Sequence, residues 1–222
     1  MGDLTLDKDT IATLRSTGDF HNLTASQDAA EHSLEMHLPY IYKILSQSFR
    51  IDEFPPLVPI MVGSTSKSDE GHFGALLAPY LADPSNVFIV SSDFCHWGSR
   101  FSYTYYIPNG TSDLANGISL RKGDTPSDPP IHESIGQIDK SAMDAIASGS
   151  HDRFLTNLRR TENTVCGRHP IGVIMAAIEV LKQSGKLPKE YGNFRFVRYE
   201  RSSEVEEARD SSVSYASAFA VL

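Results

Sequence analysis

The segment that most constrains this chain is Asn86–Gly98, which reads Asn-Val-Phe-Ile-Val-Ser-Ser-Asp-Phe-Cys-His-Trp-Gly. Its apolar run, Val87 to Val90, is short, uninterrupted and rich in β-branched and aromatic side chains. Such a run suits a strand buried on both faces, as in a parallel sheet covered by helices. Two serines follow, then Asp93, Cys95, His96 and the only tryptophan of the chain, Trp97. In α/β folds ligands bind beyond the carboxyl ends of the strands. An acid, a thiol and an imidazole therefore stand where that architecture keeps its chemistry.

The chain before this segment reads as a crossover unit. Leu57 to Gly63 predicts a buried strand, Ser66 to Leu81 a helix opened by Ser66, Asp69 and Glu70, and Asp83-Pro84-Ser85-Asn86 a turn into the next strand. Strand, helix, strand in that order is the parallel unit of an α/β fold with a central sheet flanked by helices. Further upstream, Asp7 to Arg15 reads as a weakly amphipathic helix. A longer helix is expected from Ala29 to Phe49, kinked or split at Pro39. Downstream, residues 108–130 are dominated by Pro, Gly, Ser, Asp and Asn and read as an inserted polar loop. Helices are expected over His132–Ala147, Ser150–Leu158 and Ile171–Lys182, the last with Pro170 in its first turn. Strands are expected over Phe194–Tyr199 and Val213–Leu222. No repeat or second-domain boundary interrupts the 222 residues, so a single domain, 1–222, is expected.

Charge excludes some partners. A net charge of -8 argues against nucleic acid or an anionic membrane as the main ligand. There is no apolar run long enough to span a bilayer, and the start, Met-Gly-Asp-Leu-Thr-Leu, is no signal peptide. Two cysteines, each near a histidine, do not form a secreted disulfide framework. A cytoplasmic monomer, with nuclear entry also open to it, is the expectation.

Three clusters hold the candidate chemistry. In Glu31-His32-Ser33-Leu34-Glu35-Met36-His37 the histidines are five apart, about 140° around a helix. That spacing fails the zinc-protease motif, which needs them four apart. In Asp93-Phe94-Cys95-His96, the imidazole is a metal ligand or acid/base and Asp93 its orienting partner; the competing reading is a carboxylate that merely caps a turn. In Cys166-Gly167-Arg168-His169-Pro170 the cysteine precedes a helix N-terminus, where a thiolate is favoured. It is a candidate nucleophile, redox thiol or soft metal ligand, unless it is a small residue in a tight helix entry. A serine or cysteine hydrolase using Ser92 or Cys166 with His96 lacks the G-x-S-x-G elbow.

Taken together, the blocks Glu31–Tyr40, Ala82–Gly98, Val165–Gly172 and Asp210–Ala216 resemble those of the Memo family, named as mediators of ErbB-receptor-driven cell motility, here in a fungal-type form. The resemblance implies a fold like the class III extradiol dioxygenases. It places the pocket cysteine on Cys166, the aspartate on Asp93 and a histidine on His96, with Cys166 and His96 as metal ligands. It also implies a copper or iron ion, a redox and signalling role linked to motility and oxidant production, and a pocket able to take a phosphotyrosine-like or acidic peptide. Two further histidines belong to a stretch that in the family precedes the first matched block. The expectation is therefore a chain lacking the N-terminal third, a truncated gene model or fragment, with weak or no metal affinity and no activity of its own. The alternative is a non-haem-iron dioxygenase acting on a catechol-like ring, although a thiolate in place of a carboxylate changes the softness of the metal site.

Overall fold

The computed structural model describes residues 2–111 and 113–222. The chain divides into two compact units, 1–63 and 64–222.

In the first unit, helix α1 (Lys8–Ser16) starts where the Asp7 carboxylate accepts the Thr10 backbone N–H at 2.9 Å. Helix α2 (Ala25–Ala30) carries a reciprocal cap between Thr24 and Gln27. The expected long helix is split, not kinked. Pro39 lies in the first turn of a separate helix α3 (Leu38–Ser48), where its missing N–H costs no hydrogen bond. Between them, the Glu31 carboxylate accepts from Ser33 Oγ (2.5 Å) and from the backbone N–H groups of Leu34 (2.8 Å) and Glu35 (3.1 Å). These bonds hold Glu31 below the usual carboxylate range, although desolvation opposes them. Of the cluster around His32 and His37, Glu31 thus serves the turn. Leu57 forms an isolated parallel bridge with Leu6, and the strand expected over Leu57–Gly63 does not extend beyond it.

The second unit mixes helices with small antiparallel sheets. Helix α4 (Lys67–Leu81) is opened by a Ser66–Asp69 capping box. It lies close against helix α7 (Arg168–Gln183), because Gly74 presents no side chain there: a Cβ would stand 2.8 Å from that of Ala176. Helix α5 (Ile131–Ala147) buries Ile135, Ile138, Ala142 and Ala145 at helical spacing. Helix α6 (His151–Thr161) starts at Ser150, whose hydroxyl caps Arg153 N–H. Strands β1 (His96–Trp97), β4 (Arg195–Arg201) and β5 (Ser212–Phe219) form a sheet in the order β1-β5-β4, antiparallel throughout. Within the polar segment, β3 (Ile118–Ser119) pairs back on β2 (Tyr105–Tyr106).

The parallel crossover expected from the sequence is not formed. Val87 to Val90 run extended but pair with no strand among the described residues. Phe88 and Val90 turn inward against core residues of α4 and α7, while Val87 is 85% and Ile89 53% exposed. The segment is half-buried, because burial on two faces needs a layer on each side and the described residues supply one.

Two buried polar centres lie within the core. Asp139 of α5, fully buried, accepts from the Cys95 backbone N–H (3.1 Å), Asn163 Nδ2 (3.0 Å) and Tyr199 Oη (2.8 Å). It thereby ties β1, β4 and the stretch before α7 to one helix. Desolvation raises its pKa, against the lowering effect of these donors and of Ser214. Glu70 of α4, 2% exposed, meets His151 Nε2 of α6 at 2.6 Å and His169 Nδ1 of α7 at 3.0 Å, and accepts from Thr65 Oγ1 at 3.2 Å. Arg168 Nε donates to His169 Nε2 at 3.2 Å, while His169 Nδ1 lies between Glu70 Oε1 and Thr65, whose backbone N–H reaches it at 3.4 Å. Desolvation works against the Glu70 carboxylate, but the bonds from His151 and His169 win and hold its pKa down.

Candidate functional site

The Asp93-to-Trp97 segment and the Val165–Gly167 turn are stitched together along their backbones. Cys166 N–H donates to Asp93 C=O at 3.0 Å, and Gly167 N–H to Ser92 Oγ at 3.0 Å. Ser92 Oγ in turn donates to Asp93 C=O at 2.7 Å. His96 N–H donates to Thr164 Oγ1 at 2.7 Å, and that hydroxyl returns a bond to His96 C=O at 3.0 Å. The approach is close enough to require glycine at 167, where a Cβ would lie 2.4 Å from Ser91 O and 2.5 Å from Ser92 Cβ. On the other side, Phe94 N–H donates to Ser214 C=O and Ser214 N–H to Cys95 C=O, which anchors the segment to β5.

This stitching brings Asp93, His96 and Cys166 to one locality. Asp93 Oδ2 stands 3.4 Å from His96 Nε2, within ion-pair reach, but that nitrogen makes no hydrogen bond. The His96 ring rests at 5.2 Å from the Phe101 ring, and the Arg100 guanidinium lies 4.8 Å over the other ring's centroid. Cys166 is exposed and free, whereas Cys95 is buried, its thiol pushed well up by desolvation and then by the charge of Asp139. The thiolate expected at Cys166 is not favoured either. Desolvation, and then the negative charge of Asp93, push this thiol up. The helix terminus and Arg168 favour a thiolate, but the fold sets the Asp93 carboxylate against it.

No group of three His, Cys, Asp or Glu side chains able to hold a metal occurs among the described residues. His96 and Cys166 provide two donors, fewer than the three or four that a transition-metal site usually takes. Of the residues singled out in the sequence, His169 is turned to Glu70 and Thr65. Sequence reasoning missed Thr164, Ser92 as a tie, and the Glu70–His151–His169 centre. Its members lie 81 and 99 positions apart, and no local spacing marks them.

The second unit thus mixes helix and sheet and carries a polar wall at the end of an apolar run. The chain belongs to the Memo family: the family model described as "Memo-like protein" matches residues 1–219. It is 43% identical over 214 residues to "Protein MEMO1" of Danio rerio and 42% identical over 214 residues to that of Homo sapiens. Each match covers 96% of this chain and 64% of the relative. A "MEMO1 family protein" of Schizosaccharomyces pombe is 39% identical over 222 residues, covering 99% of this chain and 69% of the relative. The chain thus spans a little under two thirds of the length of these vertebrate relatives. Among the described residues no helix is long and apolar enough to cross a membrane.

Proposed function

We propose that the Asp93–His96–Cys166 wall is this chain's share of a copper or iron site in an intracellular redox and signalling protein linked to cell motility. The observation that carries the reading is His96 Nε2, a ring nitrogen without a hydrogen bond, on a wall to which backbone bonds also fix Cys166. A bound copper or iron ion would supply one-electron redox chemistry. His96 would hold it through Nε2 and Cys166 through its sulfur, while Asp93, whose Oδ2 faces the same nitrogen, adds negative charge beside the ion. The Cys166 thiol must lose its proton to bind, so affinity rises with pH. With two donors the binding is weak. The same wall is proposed to take a phosphotyrosine-like ligand, for which Arg100 stacked on Phe101 offers a cation beside a ring.

The test is a titration of the purified chain with copper(I) and with iron(II) against a competing chelator. Weak binding is expected, lost in His96→Ala and in Cys166→Ser and retained in His32→Ala. Binding that survives both site substitutions would reject the wall as the site, and tight stoichiometric binding would reject its weakness.

A second reading, an extradiol-type dioxygenase with the corresponding fold, is favoured by the carboxylate of Asp93 beside His96, an imidazole–carboxylate pair of the kind iron(II) oxygenases use. Oxygen uptake with iron(II) and a catechol panel, absent in His96→Ala, would support it. No uptake at any substrate would count against it.

A further inference from the structure

The polar segment 108–130 takes no part in the proposed wall, and the fold pins its second half at both ends. On one side Leu120, 7% exposed, donates its N–H to Thr104 C=O at 3.0 Å, and its own C=O accepts from Thr104 Oγ1 at 2.9 Å. On the other, Tyr106 Oη donates to Pro129 C=O at 2.7 Å and Asn109 N–H to Asp128 C=O at 3.3 Å. Between these pins 121–125 and 127–128 are exposed and Pro126 is half-buried. The stretch is shaped by a turn of its own: Arg121 N–H donates to Asp124 Oδ2 at 2.7 Å, and Asp124 N–H to Arg121 C=O at 3.0 Å. Thr125 follows that turn, and its exposed hydroxyl makes no hydrogen bond among the described residues.

A free hydroxyl in an exposed stretch is open to a phosphoryl-transferring enzyme, and the residue after it selects the class. Of the chain's 12 prolines, Pro126 alone follows a serine or threonine. Proline there offers no N–H and biases Thr125 toward extended backbone. An enzyme that takes the chain at Thr125 must hold it extended and do without a donor from the next residue, as proline-directed serine/threonine kinases do. We propose that Thr125 is a phosphorylation site for such a kinase, with ATP as the donor. Thr125 Oγ1 attacks the γ-phosphorus, the bond to the β–γ bridging oxygen breaks, ADP leaves, and the hydroxyl proton passes to the kinase's catalytic base. The product gains about −1.5 to −2 charge at neutral pH. That charge stands next to Asp124, whose carboxylate closes the turn, so like-charge repulsion opens the turn while the pins at Leu120 and Pro129 hold. The site shares no residue with the proposed metal wall.

The experiment offers the native 222-residue chain to a proline-directed kinase of the cyclin-dependent class with γ-labelled ATP, beside a synthetic peptide of residues 118–130. One phosphate per chain is expected, mapped to Thr125 by tandem mass spectrometry. Its rate should lie within a few-fold of the peptide's, because the hydroxyl is already free. Incorporation should vanish in Thr125→Val, fall by at least an order of magnitude in Pro126→Ala, and persist in Ser127→Ala. Thermal unfolding of Thr125→Val should match that of the unsubstituted chain, since the side chain is exposed and unbonded. In the phosphorylated chain, hydrogen exchange should quicken at the amides of Arg121 and Asp124 and stay unchanged at Leu120. A peptide that is labelled while the native chain is not would show that the fold withholds the hydroxyl and would overturn the proposal. So would label at another residue, label undiminished in Pro126→Ala, or no label in either chain or peptide. Unchanged exchange at Arg121 and Asp124 would reject the opening of the turn.

Discussion

Glu70→Ala should be the most destabilising single change in the second unit outside its apolar core. The carboxylate is 2% exposed and holds together three helices, through His151 of α6 at 2.6 Å, His169 of α7 at 3.0 Å and its own α4. Truncation leaves two imidazole nitrogens and the Thr65 hydroxyl facing a void against Gly172. Leaving buried hydrogen-bonding groups unsatisfied costs about 1–3 kcal/mol each, and a marginal domain has about 5–15 kcal/mol in all. Urea unfolding at pH 7, followed by far-UV circular dichroism, would measure the loss as a lower midpoint at constant slope. The pH dependence supplies the sharper check. Because the folded-state pKa of Glu70 is depressed, its contribution is fully present above the unfolded value of about 4.3 and is lost as pH falls through the folded value. Wild type and Glu70→Gln should therefore converge in stability on acidification. A loss below about 1 kcal/mol for the alanine variant, or a Gln variant whose deficit does not shrink at low pH, would refute the assignment of Glu70 as an ionised hub.

Two further outcomes concern the stitched wall. Gly167→Ala forces a Cβ onto Ser91 O and Ser92; it should cost about 1–3 kcal/mol by overpacking, measured by thermal unfolding, and lower the titrated metal affinity by separating Cys166 from Asp93. Asp93→Asn removes the negative charge that helps hold the Cys166 thiol up, so iodoacetamide alkylation of Cys166 at pH 8 should quicken a few-fold; mass spectrometry with Cys95 as the buried internal control would check it.

Much of the helical framework was readable because its signals are local. Ser66 with Asp69, Pro39, Pro170 in the first turn of α7, and the spacing of Ile135, Ile138 and Ala142 each act over one or two turns. The strands expected over Phe194–Tyr199 and Val213–Leu222 likewise correspond to β4 and β5. Val87–Val90 misled for a physical reason. An apolar run reports what a segment can bury, not whether partners are there to bury it, so a buried strand was expected where one face is open. Asp93, His96 and Cys166 were legible as types in motif-like blocks, and the fold brings the two blocks together. The protonation of Cys166 was not, because it depends on a carboxylate 73 positions away that only the backbone stitching brings near. Glu70 looked like an ordinary first-turn acid; its two imidazole partners arrive from helices far along the chain.

The most direct test of the proposed wall is the near-ultraviolet spectrum of the chain with cobalt(II) as a probe ion, above pH 8 where the thiol can ionise. The account predicts a thiolate-to-metal charge-transfer band that disappears in Cys166→Ser and in His96→Ala. A band that persists unchanged in Cys166→Ser would place the metal elsewhere and contradict it.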